Sequence, residues 1–301
     1  MNDKNVNALN SEDDESFESL SKSMQESSKV IAEQITQFST IMQGIVKIIV
    51  DLTPKIEFPK IDPEVTEHIN FVMVLRKLKW PLFLEYDKNL QKQIIELYAE
   101  KGNDHLHAEK INAVIFNYCD DKFIKKTFDF WAKCGQVSEL RLPILREALD
   151  MHLAERYYAS TALLMCQLYG VVIEISHFAQ ENSIIISNEN KRKIARHYKM
   201  DDKLIDTEKG KFIQLSTLPN NGVLLWEATA EYIQNEILCS SDSKIRWSQQ
   251  PLRNKICHGE QLNFGTKEHS LKAILCIDIL MKLSNEVYEL SKIVGESDSN
   301  I

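Results

Sequence analysis

The sequence is poor in glycine and proline, the two residues that most often interrupt regular structure. Its 301 residues include 9 glycines and 7 prolines, whereas 44% of them are hydrophobic and 27% are charged. No strict alternation of apolar and polar residues continues for more than a few positions, and no internal repeat is present. Few turn formers combined with the absence of β-type alternation predict long helices, so we expect an all-α protein.

Several motifs that indicate a particular catalytic or ligand-binding function are missing from the sequence. The sequence has no P-loop, no G-x-G-x-x-G dinucleotide motif and no G-x-S-x-G nucleophile elbow. Its six cysteines are scattered, without a C-x-x-C pair, so we expect reduced and mostly buried thiols. His105 and His107 are one residue apart in a predicted loop and lack a third ligand for zinc. We therefore predict neither a metal ion nor a cofactor.

Long apolar runs and an excess of basic residues are also missing. The longest apolar run, residues 41–52, contains Lys47 and is too short to span about 30 Å of hydrocarbon. The N-terminus is polar and acidic, unlike a signal peptide, so we expect a cytoplasmic protein without a membrane partner. The net charge of −8 gives no sign of general nucleic-acid binding. Any contact with RNA must therefore come from a local patch.

Composition and periodicity divide the chain into four parts. Residues 1–16 are acidic, as is typical of a disordered tail. Residues 17–63 contain a predicted long helix and a linker stiffened by prolines. Residues 64–136 show the pattern of several short helices, and residues 137–301 that of a helical bundle whose last helix starts near residue 266.

In the predicted N-terminal helix, apolar residues repeat at alternating intervals of four and three. The repeat consists of Ile31, Ile35, Phe38, Met42, Ile45, Ile49 and Leu52. This is the spacing of a coiled-coil seam, which needs a partner. The same helix of a second chain and the body of the protein are both suitable partners, and the sequence leaves this choice open.

The candidate catalytic residues lie shortly before the predicted last helix, in the heptapeptide RNKICHG that begins at Arg253. Ser248 is expected to cap a short helix there. Gly259 is expected to end this helix in the left-handed conformation, which places His258 on the last turn. Asn254 and His258 are four residues apart and are therefore predicted to share a face of the helix.

This motif resembles the signature of the HEPN superfamily (higher eukaryote and prokaryote nucleotide-binding domains), Arg-x4-6-His, in which a polar residue often follows the arginine. Arg253, Asn254 and His258 match it. Residues 145–172 and 265–272 also resemble autonomous HEPN proteins of abortive-infection systems, so the resemblance covers about residues 137–294. It implies a C-terminal four-helix bundle, RNA as the substrate, and a homodimer in which two copies complete one site.

The chemistry of such a site suits these residue types. A histidine exchanges protons near neutral pH and can deprotonate a ribose 2′-hydroxyl or protonate the leaving 5′-oxygen. Arg253 keeps its charge and can hold the phosphate through paired hydrogen bonds. Asn254 would orient His258 or donate to the phosphate.

The resemblance thus implies a metal-independent endoribonuclease that acts in phage defence by abortive infection, or a toxin. Its activity would be controlled by an antitoxin or by a phage-derived trigger. The alternative is a non-catalytic HEPN module that binds nucleotide or RNA, or that serves as a dimerising scaffold.

The bare arginine-to-histidine spacing occurs three times, in the pairs Arg253/His258, Arg192/His197 and Arg146/His152. Only the first pair has asparagine after the arginine, glycine after the histidine and a strongly apolar helix directly downstream, so we expect the site there. Further candidates for guiding an RNA backbone are Lys255 and the basic residues Lys191, Arg192, Lys193 and Arg196. A basic stretch of this kind is more often a solvated helix face.

Overall fold

The structure is a computed structural model that describes residues 63–82, 87–100, 104–182, 184, 196, 210, 223–239 and 241–298. All of these residues belong to one compact unit, Ile61–Ile301. The predicted tail at residues 1–16 and the predicted heptad helix lie outside the described residues, as does the linker up to residue 62.

The described part of the chain is helical and contains no strand. Its helices are α1 (Pro63–Lys77), α2 (Lys88–Ala99), α3 (Asp104–Tyr118), α4 (Asp121–Trp131), α5 (Leu142–Leu153), α6 (Tyr157–Glu181), α7 (Val223–Tyr232), α8 (Lys244–Gln249), α9 (Arg253–Cys257) and α10 (Lys267–Asp298). A π-helical turn, Ile233–Ile237, continues α7. For these residues the predicted all-α class is confirmed.

Local signals set several helix boundaries. Asp87 and Asp120 are the N-caps of α2 and α4, and each carboxylate accepts a hydrogen bond from the backbone N–H three residues further on. α3 begins at Asp104, an acidic residue that favours the start of a helix. His105 and His107 therefore lie in the first turn of α3, and the prediction that they lie in a loop is wrong.

α6 and α10 lie at the centre of the bundle and pack against each other. Residues 269–281 of α10 are all buried, so this helix is surrounded on every side. α5 packs on α6, α4 packs on α5 and α10, and α1 packs on α2 and α7. One hydrophobic core extends from Phe71 in α1 to Val287 in α10, so the short N-terminal helices and the C-terminal bundle share it.

α6 is the one described helix whose length and composition would allow it to cross a membrane. The same properties are typical of the central helix of a bundle, and α6 packs against α5, α9 and α10. Its buried residues form a face that runs from Ser160 to Ala179. The cytoplasmic location stays a prediction.

A chain of hydrogen bonds links α5, α6 and α10 inside the core. Nδ1 of His152 lies 2.7 Å from the hydroxyl oxygen of Ser270, and that hydroxyl donates to Ser160 at 2.8 Å. All three side chains are buried. Burial lowers the pKa of His152 to about 4, and the nearby Lys267 acts in the same direction. His152 is therefore a neutral, structural histidine at physiological pH.

We expect the free energy of unfolding to fall as the pH is lowered from about 7 to about 5. Burial lowers the pKa of His152 and of His269 to about 4, whereas a histidine in the unfolded chain has a pKa near 6.5. The unfolded state therefore binds more protons within this window. The stability due to the two neutral histidines is present above about pH 6.5 and is lost toward pH 4, by about 2 kcal/mol per histidine at pH 5.

Denaturant unfolding at the two pH values measures this effect. His152→Gln should reduce the pH dependence, because the substituted side chain takes up no proton. Leu140→Gln, made at an exposed position and removing no titrating group, serves as the control and should leave the pH dependence unchanged. An undiminished dependence in the His152→Gln protein would contradict the prediction.

Candidate functional site

The candidate motif forms the short helix α9 and the residue that follows it. Leu252 is the N-cap of α9 and makes no side-chain capping bond, and His258 is the C-cap. The prediction that Ser248 caps this helix is wrong. Ser248 belongs to the preceding helix, α8, where its hydroxyl donates to the carbonyl of Ile245. The extended backbone of Gln250 separates the two helices, which puts Ser248 out of reach of α9.

Gly259 ends α9 in the predicted conformation. Its φ of 74° lies in the left-handed region, which glycine adopts without strain. The N–H of His258 donates to the carbonyl of Asn254, and the N–H of Gly259 donates to that of Ile256, each at 3.0 Å. The side chain of His258 is exposed. It thus stands at the C-terminal end of α9.

Gln261 closes the loop that presents α9. Its side chain is fully buried, and its Oε1 accepts a hydrogen bond from the N–H of Leu252 at 3.0 Å. Its Nε2 donates to the carbonyl oxygens of Trp247 at 2.7 Å and of Gln250 at 2.9 Å. These bonds join the chain on both sides of α9. No local pattern in the sequence marks this residue, because a single glutamine in a loop has no periodicity.

Three further hydrogen bonds attach the loop to the body of the protein. The side chain of Gln250 donates to the carbonyl of Lys79 at 2.7 Å and accepts from the hydroxyl of Tyr232 at 2.7 Å. The buried ammonium of Lys272 donates to the carbonyl of Gln249 at 2.7 Å. Burial lowers the pKa of Lys272. Because of these contacts, the loop is anchored to α7, to α10 and to the C-terminal end of α1.

Arg253 and Asn254 meet where α9 packs against α6. Nη1 of Arg253 donates to Oδ1 of Asn254 at 2.9 Å. The guanidinium carbon of Arg253 lies 5.5 Å from the ring centroid of Tyr169, a residue of α6. Both motif side chains are half-buried. In the structure Asn254 therefore contacts and orients the arginine, and its NH₂ group is compatible with the predicted donation to a phosphate.

The side chains predicted to guide an RNA backbone differ in exposure and in ion pairing. The ammonium of Lys255 lies 2.8 Å from a carboxylate oxygen of Asp242 and 2.6 Å from one of Glu260. These two neighbours raise the pKa of Lys255. A cation paired with two carboxylates is less available to a phosphate. Arg196 is an exposed helical residue. The residues outside the described part are Lys191, Arg192 and Lys193.

Of the two arginine/histidine matches that the structure describes, only Arg253/His258 has an exposed histidine. His152 is buried, and the guanidinium of Arg146 lies 3.9 Å from the ring centroid of Phe128. The Arg192/His197 match falls on undescribed positions. Among the described side chains, no group of three or more His, Cys, Asp or Glu could hold a metal ion.

No family model, curated protein or solved structure matches the chain. The resemblance to the HEPN superfamily therefore rests on the motif and the segments around it. Function has to be argued from the geometry of α9 and from the chemistry of its residues.

A cavity of about 730 Å³ lies between α1, α2 and α7. Apolar side chains such as Met73, Ile95 and Tyr98 line it together with Arg76 and Glu231, which form an ion pair. No residue of α9 lines this cavity. The exposed His258 and the half-buried Arg253 lie outside it.

Proposed function

We propose that the chain is a metal-independent endoribonuclease of the HEPN type. One observation carries the proposal: a single short helix, held by a buried glutamine, presents a half-buried and hydrogen-bonded guanidinium at its first residue and an exposed imidazole at its C-cap. Arg253, oriented by Asn254 and Tyr169, holds the scissile phosphate and stabilises the negative charge that develops on it. His258 takes the proton from the ribose 2′-hydroxyl or gives one to the leaving 5′-oxygen.

The proposed reaction needs a base and an acid, and the motif supplies one histidine per chain. We therefore propose that a second copy of the chain provides the other histidine. Exposed apolar side chains lie on both sides of the motif in the sequence and are candidates for the contact between chains: Leu262 is 74% exposed and Ile245 is 73% exposed.

Sedimentation equilibrium at micromolar concentration is expected to give a mass near twice 34.8 kDa. Leu262→Glu should shift the protein toward monomer and lower RNA cleavage in parallel, because it places a charge in the proposed contact. Leu140, which is 85% exposed in the segment before α5, offers the matched control, and Leu140→Glu should leave both unchanged. A fully active monomer would contradict the two-chain site.

RNA cleavage is expected to continue in the presence of a metal chelator and to leave a 2′,3′-cyclic phosphate or its hydrolysis product. The reason is that the attacking group is the ribose 2′-hydroxyl of the substrate itself. Single-stranded DNA lacks this hydroxyl and should stay intact. Incubation of the purified protein with total RNA and with DNA, followed by end-group analysis, tests this. Strict dependence on a divalent metal, or efficient cutting of DNA, would contradict the mechanism.

A second candidate function is RNA or nucleotide binding without cleavage. The contact of Arg253 with Asn254 and Tyr169 favours it, since a guanidinium beside an aromatic ring can bind a phosphate or a base without any histidine. Binding and cleavage assays on the same RNA separate the two functions. Binding by wild type that leaves the RNA intact, and that persists in His258→Ala, would support the second candidate.

A further inference from the structure

Two cysteine thiols meet where α6 and α9 touch. Sγ of Cys166, on α6, lies 3.5 Å from Sγ of Cys257, the last residue of α9, although the two residues are 91 positions apart in the sequence. Both cysteines are exposed. The pair borders the candidate site, because Cys257 directly precedes His258.

Three of the other four cysteines are less reactive by position. Cys119, Cys134 and Cys276 are buried, and burial raises the pKa of each thiol, to about 11 for Cys134. Cys239 is half-buried, and its sulfur lies 3.3 Å from Nη1 of Arg246. Thiols need exposure and thiolate character to react. The expectation of mostly buried thiols is therefore wrong for Cys166 and Cys257, which are brought to the surface together by helix packing.

We propose that Cys166 and Cys257 form a modification site, a dithiol that a peroxide oxidises to a disulfide joining α6 to α9. The thiolate of one cysteine attacks a peroxide oxygen and the O–O bond breaks. The leaving hydroxide takes up the proton that this thiol released, so water and a sulfenic acid result. The second thiolate attacks the sulfenic sulfur and the S–O bond breaks, and this hydroxide leaves as a second water with the proton of the second thiol. The two sulfurs together lose the two electrons that reduce the peroxide.

The geometry requires little movement for this reaction. The sulfurs have to approach from 3.5 Å to about 2 Å. Rotation of two exposed side chains, or a small shift of the short helix α9, supplies that distance. The proposal is independent of RNA cleavage, because its readouts are thiol content, mass and melting temperature.

The test uses the reduced full-length protein, diluted and treated with a stoichiometric amount of hydrogen peroxide. We expect the loss of two free thiols out of six, a mass lower by two hydrogen atoms, and a linked pair of peptides that contain Cys166 and Cys257. The bond closes a loop of about 90 residues, so the melting temperature should rise by several degrees and return when a reductant is added.

Three single variants serve as controls. Cys166→Ser and Cys257→Ser should each abolish the linked peptide and the rise in melting temperature, whereas Cys239→Ser should change neither. Linkage between other cysteines, a disulfide that forms only between two chains, or conversion of both thiols to sulfinic acid without a disulfide would overturn the proposal.

Discussion

Replacing His258 by alanine is expected to reduce RNA cleavage by at least about a hundredfold, the usual minimum for loss of a general acid or base. The melting temperature should stay unchanged, because the side chain is exposed. The backbone N–H of this residue donates to the carbonyl of Asn254, and that bond is retained in the alanine variant. Cleavage of total RNA and thermal unfolding of the same samples provide the two measurements. A loss of activity accompanied by unfolding would show instead that His258 acts structurally.

The role of Arg253 is best tested by a substitution to lysine, which is more conservative than one to alanine. Its guanidinium binds Asn254 and lies over Tyr169, so alanine would remove packing as well as a phosphate contact. Lysine keeps the charge but lacks the planar fork that grips a phosphate at two points. Arg253→Lys is therefore expected to lose most cleavage while the fold is retained.

Arg146 provides a matched control for Arg253, since its guanidinium also lies over an aromatic ring, that of Phe128. Arg146→Lys should leave cleavage unchanged, and so should Arg192→Ala, from the remaining arginine/histidine match. Equal loss of cleavage from either control variant would mean that the site lies at another of the three pairs.

Replacing Gln261 by methionine is expected to destabilise the fold by about 3 kcal/mol or more, because it leaves several buried backbone groups without hydrogen bonds. The N–H of Leu252 and the carbonyls of Trp247 and Gln250 would lose their partner. The two side chains are similar in size, so little of the effect comes from a cavity. Cleavage should fall as well, because this loop positions α9. Urea unfolding, monitored by circular dichroism, measures the loss.

Gln249 is a suitable control, since it is a glutamine of the same segment whose side chain is exposed. Gln249→Met should change the free energy of unfolding by less than about 0.5 kcal/mol, as is usual for surface substitutions. If the two variants were equally stable, the hydrogen bonds of Gln261 would not be what holds the loop.

The parts of the fold that depend on local signals were predictable. The last helix was expected from about residue 266 and begins at Lys267, because its apolar pattern is strong. Gly259 ends α9 as expected, because few other residues adopt a positive φ. The predicted cap at Ser248 was wrong, because Ser248 already lies inside α8, and the extended Gln250 follows before α9 begins.

The site was predictable only in part. The residue types follow from the motif, and so does the short helix that holds them, since the backbone N–H of His258, the C-cap of α9, donates to the carbonyl of Asn254 four residues before it. The role of Asn254 in orienting His258 stays a prediction. The partners of Arg253 and Cys257 on α6, Tyr169 and Cys166, are separated from them by long stretches of sequence. Such contacts result from tertiary packing, which local patterns do not encode.

The conformation of Gly259 has a consequence for how natural variants of this protein should be compared. A Cβ added at this position would meet no atom within 4 Å, so crowding does not select glycine. The φ of 74° alone favours glycine here. A residue other than glycine or asparagine would lower the free energy of unfolding by about 1 kcal/mol. We therefore expect that glycine at this position reports how the helix ends, and that the presence of Arg253 and His258, not of the glycine, decides whether a variant cleaves RNA.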